Sequence, residues 1–281
     1  MALPDNFDVE EFVRRVLAED LGTGGDVTSN ATIAEDARFD AEMNARQAIV
    51  VAGIEIAAAF FHALDANVQI EMLVGDGHRV EHGTTLVRLA GNARAMLAAE
   101  RSALNTLQHL SGIATLTRHY VDAIAGTGAV LLDTRKTIPG LRVLEKFASR
   151  MGGAQNHRMR LDDGVLIKDN HVAVCGGVAE AVHRAKQANT GLQVQVEVDR
   201  IDQIEPALAA GADRLLLDNM DPAMLREAVG LVGGRVPLEA SGGVTLETIR
   251  FLAETGLNFI SVGRITQSAP AVDIGLDYSV V

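Results

Sequence analysis

Val9, Phe12, Val13, Val16 and Leu17 fall at i, i+3, i+4, i+7 and i+8, the apolar stripe of an amphipathic helix. Asp5 and Asn6 stand before it as candidate caps, and the glycine-rich run from Leu21 to Asp26 ends it. From Ala37 to Val51 the spacing becomes strand-like, and Ile54 to Leu64 reads as an apolar helix. Val74 to Gly83 sets glycine turns between alternating Val and Leu positions, which predicts hairpin-rich β structure. A long helical pattern follows from about Ala93 to Ile124, with a break expected at Ser111-Gly112.

After Gly128 the rhythm changes. Short apolar runs (Val130–Leu132, Val165–Ile167, Val194–Val198, Leu215–Leu217, Val236–Leu238 and Phe259–Val262) alternate with helical patterns at Val178–Gln187, Ile204–Ala210, Met224–Val232 and Leu246–Ala253. That alternation is the signature of repeated βα units and a parallel sheet. Six units are too few for a full eight-fold barrel, so a reduced barrel and an open doubly wound sheet both fit. We expect an α/β protein with a first domain over 1–112, a second over 113–268, and a tail over 269–281 that forms a strand returning to the first.

Composition narrows the class. With 48% apolar residues the 281-residue chain can bury a sizeable core. Its 25 Lys+Arg against 37 Asp+Glu leave a net charge of −12, which argues against nucleic acid or an anionic membrane surface as partner. A lone Cys175 excludes an internal disulfide and a Cys-rich zinc site. The acidic stretch Met1 to Glu10 lacks a secretory pattern, and Ala48 to Phe61 is too short to span a bilayer, so a cytoplasmic protein is expected.

The chemistry falls at the strand ends, where ligands bind in barrels and open α/β sheets. In turn they carry Asp133-Thr134-Arg135-Lys136, Lys168-Asp169-Asn170-His171, Glu197 with Asp199, Asp218-Asn219, Glu239 with Ser241-Gly242-Gly243, and Gly263-Arg264. From Asp133 to Lys168 eight cations face four anions, a basic island in an acidic chain, which suggests an anionic small-molecule ligand. Arg135, Lys136, His157, Arg158 and Lys168, at strand ends or loops, are read as site residues. Arg142, Lys146 and Arg150, spaced i, i+4, i+8, are read as helix-surface charge. Ser241-Gly242-Gly243, opening a helix, and Val262-Gly263-Arg264 after the last strand suit a phosphate. Glu197 and Asp218 either neutralise Lys136 and Lys168 or serve a cation, such as Mg²⁺ or a cationic transition state. Arg101 shares a helical stripe with Leu97 and Leu104, so it either pairs with a neighbouring helix or reaches a ligand, even across a subunit contact.

Glu100-Arg101-Ser102-Ala103-Leu104-Asn105, Asp133-Thr134-Arg135-Lys136-Thr137, Asn156-His157-Arg158 and Leu166-Ile167-Lys168-Asp169-Asn170-His171 together resemble the quinolinate phosphoribosyltransferase family. The likeness continues through Glu197-Val198-Asp199, Leu217-Asp218-Asn219-Met220, Ser241-Gly242-Gly243 and Ser261-Val262-Gly263, over essentially the whole chain. It implies an N-terminal α/β sandwich and an incomplete parallel α/β barrel of the type II phosphoribosyltransferases, in a homodimer or a multiple of it. It implies synthesis of nicotinate mononucleotide, CO₂ and pyrophosphate from quinolinate and phosphoribosyl pyrophosphate, with Mg²⁺, in de novo NAD biosynthesis. By motif, Arg101 (lent by the partner subunit), Thr134, Arg135, His157, Arg158 and Lys168 would hold quinolinate. Lys136, Lys168, Glu197 and Asp218 would form the catalytic set, with the two carboxylates facing ribose and Mg²⁺ directly or through water. Ser241, Gly242, Gly243, Val262, Gly263 and Arg264 would hold the 5′-phosphate. Arg160 and Arg264 depart from the glycine and alanine frequent in the family, and Met151 from a smaller residue.

Three rivals remain at this stage. A molybdenum-transport accessory protein resembling the family is opposed by the joint presence of Arg101, Arg135, His157, Arg158 and Lys168. A Schiff-base aldolase would need Lys168 desolvated and unpaired. A sensor would bind the same ligands without turnover.

Overall fold

The computed structural model describes residues 7–279. Its elements are α1 (Val9–Leu21), α2 (Val27–Thr32), β1 (Arg38–Ala45), β2 (Ile49–Val50), α3 (Ile54–Leu64), β3 (Gln69–Met72), β4 (Arg79–Val80), β5 (Thr85–Asn92) and α4 (Ala93–Ala123). There follow β6 (Val130–Leu132), α5 (Arg142–Met151), β7 (Val165–Ile167), α6 (Asp169–Cys175), α7 (Val178–Gln187), β8 (Val194–Val198) and α8 (Ile204–Ala209). The chain closes with β9 (Arg214–Asp218), α9 (Pro222–Val232), β10 (Leu238–Ser241), α10 (Leu246–Ala253), β11 (Phe259–Ser261), α11 (Arg264–Gln267) and β12 (Ile274–Ser279).

The chain divides into two units, the first made of Met1–Thr117, Val143–Gly153 and Ser268–Val281. In it, Phe12, Val13 and Leu17 bury the predicted stripe of α1. Asp5 and Asn6, the expected caps, lie outside the described residues. Asp8 caps the helix instead, its carboxylate accepting from the Glu11 backbone N–H. The sheet is antiparallel in the order β12-β1-β5-β3, and β12 pairs with β1 from Ala45↔Ile274 to Asp40↔Ser279. Phe39, Ala41, Met43 and Ala45 alternate into the core from β1, as the period of two requires.

The expected break at Ser111-Gly112 does not occur, and α4 runs through it. Gly112 is there for contact, not for a bend. A Cβ at this position would come within 2.1 Å of the Pro270 carbonyl oxygen, so only glycine lets the returning tail lie against the helix.

The second unit comprises Arg118–Arg142 and Ala154–Gln267. Its six strands are all parallel and ordered β6-β11-β10-β9-β8-β7. Each strand from β7 to β11 neighbours the next in sequence, and the first strand, β6, pairs with the last, as Phe259↔Val130 shows. A doubly wound sheet reverses direction at its centre. This sheet never does, so it is a barrel left open between β6 and β7. The segment after Ala154 lines the seam, bridging Leu132 to Gln155 in parallel register.

Strand alternation sorts the barrel's two faces. Val194, Val196, Val198, Leu215, Leu217, Leu238 and Ala240 join one apolar cluster with Val182, Ala207, Leu225 and Ala228 of the surrounding helices. Gln195, Glu197, Arg214, Asp218, Glu239 and Ser241 therefore face the barrel interior. The strand expected at Val236–Leu238 is displaced to Leu238–Ser241. Pro237 explains the shift, since it has no N–H to give a parallel ladder.

Candidate active site

The carboxyl ends of the barrel strands carry the clustered chemistry. The Lys168 ammonium, just after β7, donates to Glu197 Oε2 of β8 at 2.9 Å. Lys168 keeps 49% of its side-chain surface exposed against 13% for Glu197. It is thus a paired, hydrated cation and not the desolvated amine that Schiff-base chemistry needs. Asp218, at the end of β9, lies within electrostatic reach of Glu197, Lys168 and Lys136. Burial and the charge of Glu197 push its carboxyl above the ordinary aspartate range, opposed by Lys168, Asn219 and Lys136. A cavity of about 540 Å³ opens beside Glu197 and Asp218, with Asp199, Arg200 and Asp169 also on its wall.

Glycines close the same mouth. A Cβ on Gly263 would meet Lys136 Cδ at 2.8 Å and Thr134 Oγ1 at 3.4 Å, so the loops after β6 and β11 are in contact there. Gly242 has φ +94°, and a Cβ on it would lie 2.1 Å from Asn219 Oδ1, which joins the loops after β9 and β10. Thr134 Oγ1 accepts from the Lys136 N–H at 3.0 Å, and Thr266 Oγ1 donates to the Lys136 carbonyl at 2.7 Å. Lys136 is therefore held by its backbone while its side chain stays exposed.

A second cationic group lines the seam. Arg158 feels the charge of Arg135, and burial together with that repulsion lowers its pKa. Its Nη1 donates to the Gly164 carbonyl at 3.0 Å. The segment bearing it is gripped by fully buried Asp133, whose carboxylate accepts from the His157 N–H at 2.8 Å and from the Asn156 side chain. A cavity of about 720 Å³ lies alongside, lined by Leu132, His157, Arg158, Gln195, Arg214 and Phe259 among others.

Two expectations from the charge pattern are corrected. Arg142, Lys146 and Arg150 are not a solvated helix stripe. Lys146 is fully buried next to fully buried Glu145, and Arg142 is a clamp that donates to Thr137 Oγ1 (3.2 Å), the Met159 carbonyl (3.3 Å) and the Arg135 carbonyl (3.5 Å). Arg150 is half-buried and lies 5.9 Å from the Phe147 ring. Glu239, expected at the ligand-binding end, sits on β10 inside the barrel with no exposure. Spacing could not separate these cases, but the alternation Leu238-Glu239-Ala240 does carry the signal, because the two apolar neighbours face the helices.

The arrangement can be set against known proteins. Residues 113–277 match the quinolinate phosphoribosyl transferase C-terminal domain, and residues 26–111 match its N-terminal domain. The chain belongs to the quinolinate phosphoribosyltransferase family. It is 42% identical to quinolinate phosphoribosyltransferase [decarboxylating] 2, mitochondrial, of Nicotiana glauca, over 96% of this chain and 82% of that one. It is 40% identical to the probable nicotinate-nucleotide pyrophosphorylase [carboxylating] of Bacillus subtilis, over 97% and 94%. The solved nicotinate-nucleotide pyrophosphorylase of Francisella tularensis superposes with a TM-score of 0.92 at 42% identity, covering 96% of each chain.

Within this family member, Lys136, Lys168, Glu197 and Asp218 form one cluster, and Arg135 and Arg158 another, both in the barrel unit. Arg101 is exposed on the part of α4 that belongs to the first unit and forms no ion pair with a described residue, so the helix–helix pair considered for it is not made. Arg160 is tied to Asp162 at 2.8 Å in an exposed loop. Arg264 is exposed and hydrogen-bonds to buried Tyr120. Among the described residues no group of three or more His, Cys, Asp or Glu could hold a metal, and no helix is long and apolar enough to cross a membrane.

Proposed function

We propose that this chain transfers a phosphoribosyl group from phosphoribosyl pyrophosphate to the ring nitrogen of quinolinate, with loss of CO₂, yielding nicotinate mononucleotide and pyrophosphate for NAD biosynthesis. The observation that carries this reading is one mouth holding two kinds of charge. Lys136 and Lys168 suit polyanionic substrates, and Arg135 and Arg158 add a second cationic group at the seam. Glu197 and Asp218 suit the positive charge that develops at the anomeric carbon as pyrophosphate departs.

In this scheme the pyridine nitrogen attacks C1 of the ribose, the C–O bond to pyrophosphate breaks, and both bonding electrons leave with pyrophosphate. The quaternised ring then releases its 2-carboxylate as CO₂, retains the electron pair at that carbon, and takes up a proton there. Arg135, Arg158, Lys168 and Thr134, with Arg101 from a second copy in a homodimer, hold quinolinate, and His157 takes part through the turn it shares with Arg158. Lys136 faces the pyrophosphate. Ser241, Gly242, Gly243, Val262, Gly263 and Arg264 surround the 5′-phosphate, where the loop opening α10 supplies N–H donors.

Mg²⁺ fits the donor set. Glu197 and Asp218 are hard oxygen donors; burial and then the charge of Glu197 raise the Asp218 pKa, and a cation would relieve the repulsion between them. Two carboxylates are too few to cage the ion alone, so substrate phosphates and water would complete its shell. When bound, Mg²⁺ neutralises charge on the departing pyrophosphate. The test is release of labelled CO₂ from carboxyl-labelled quinolinate. It is expected to require both phosphoribosyl pyrophosphate and Mg²⁺. Tight binding of both substrates without CO₂ would mark a sensor and overturn the reading.

A further inference from the structure

Nothing in the proposed chemistry uses Glu239, yet it is the most elaborately held carboxylate of the barrel interior. It is fully buried. Its Oε2 accepts from Gln195 Nε2 at 2.8 Å, lies 2.7 Å from Arg214 Nη2, and stands 3.5 Å from His157 Nε2. Arg214 is in turn stacked over the Phe259 ring, 3.9 Å from its centroid. Side chains of β8 and β9 thus converge on one oxygen carried by β10, and its third partner is a residue of the seam.

His157 links this interior to the seam segment. Its Nδ1 accepts the Arg158 backbone N–H at 2.7 Å, so Nδ1 bears no proton and the neutral ring carries its hydrogen on Nε2, facing Glu239. Both ring nitrogens are therefore occupied within the chain. From the opposite side, Asp133 accepts the His157 N–H. Arg158, the next residue, carries the guanidinium that stands beside Arg135.

We propose that Glu239 is a positioning residue for substrate recognition: by holding His157 in its Nε2–H tautomer it fixes the Asn156–Arg158 turn and so aims Arg158 at a carboxylate of the pyridine substrate. The proposal rests on the phosphoribosyl-transfer reading above for the identity of that substrate. Stability alone is a poor reason for such a group. A buried ion pair returns little over apolar packing of the same volume, and its clearest use is to fix one arrangement among several. Burial pushes the Glu239 carboxyl up, but the hydrogen bond from His157 and the charge of Arg214 oppose it and the net shift is downward, so the group stays able to accept.

The test is a double-mutant cycle on the purified protein, with a spectroscopic control. Glu239→Gln keeps the shape and one acceptor, and is expected to raise the KM for quinolinate about tenfold while the KM for phosphoribosyl pyrophosphate changes less than about twofold. In a His157→Ala background the same substitution should have almost no further effect on quinolinate KM, because its route of action is gone. Effects that multiply independently, or that shift both KM values together, would overturn the proposal. Should Glu239→Gln fail to fold, ¹⁵N imidazole shifts of the unmodified protein still decide, with the His157 signal assigned by its loss in His157→Ala. An Nε2–H tautomer supports the arrangement and an Nδ1–H tautomer refutes it. If the unmodified protein releases no CO₂ from quinolinate, the substrate reading fails separately, whatever the tautomer.

Discussion

Glu197 and Asp218 show how environment divides labour between like residues. Glu197 is matched by Lys168 at 2.9 Å, which orients its carboxylate. Glu197→Ala should lower kcat by about 10²–10³-fold with a smaller change in either KM, since an interaction realised only as charge develops affects turnover first. Steady-state kinetics with both substrates checks this, and a pure KM defect would place Glu197 in ground-state binding. Asp218 has the opposite character, because its folded pKa is raised by burial and by Glu197. The stability linked to it is full below the ordinary aspartate pKa and is lost as pH rises through the raised value. Asp218→Asn should therefore raise the melting temperature at pH 7 by ~2 °C, a gain that fades towards about pH 4, while abolishing activity. Calorimetric scans across that pH range test the sign. These charged residues were legible in the sequence because they follow apolar runs directly. Glu239 and Lys146 were not placed correctly, because residue type and spacing do not report whether a charge has a partner inside.

At the scale of elements, the strands of the barrel were readable because each is a short β-rich run set off by helix signals. The exceptions have physical causes. Six-residue α2 is too short to display a helical period. The strand at β10 slid past Pro237. The spacing of the runs alone could not choose between the barrel and the doubly wound sheet, since strand order depends on which run pairs with which; the family resemblance implied the incomplete barrel, and the β6–β11 pairing agrees with it. Gly112 shows the same limit in reverse, because a glycine demanded by a distant backbone looks like a helix breaker. In an open helix Gly→Ala stabilises by about 1 kcal/mol. Here a Cβ would sit 2.1 Å from the Pro270 carbonyl oxygen, so Gly112→Ala should instead destabilise by ~1–3 kcal/mol. Urea unfolding of the variant distinguishes the two signs. Gly242→Ala meets a comparable obstacle at Asn219 and a positive φ, and is expected to cost activity before stability because both loops belong to the mouth.

At the scale of the whole molecule, a chain of net charge −12 carries cations at the ends of its barrel strands, and one cation of the family pattern belongs to the other unit. Arg101 belongs to the first unit, is exposed, and has no ionic partner among the described residues. If Arg101 completes the site of the other subunit in a two-fold dimer, as proposed above, symmetry makes the exchange reciprocal. The consequence can be counted. Arg101→Ala and Lys168→Ala each remove one component of every site in their own homodimers, so both should be inactive. In a heterodimer of the two, one site lacks both side chains and the other lacks neither. Random mixing makes half of the dimers heterodimers, so activity should return to about a quarter of the parent value. Unfolding and refolding the variants together, with heterodimers verified by native mass spectrometry, provides the measurement. If Arg101 served its own chain, each site of the heterodimer would lack one side chain and no activity would return.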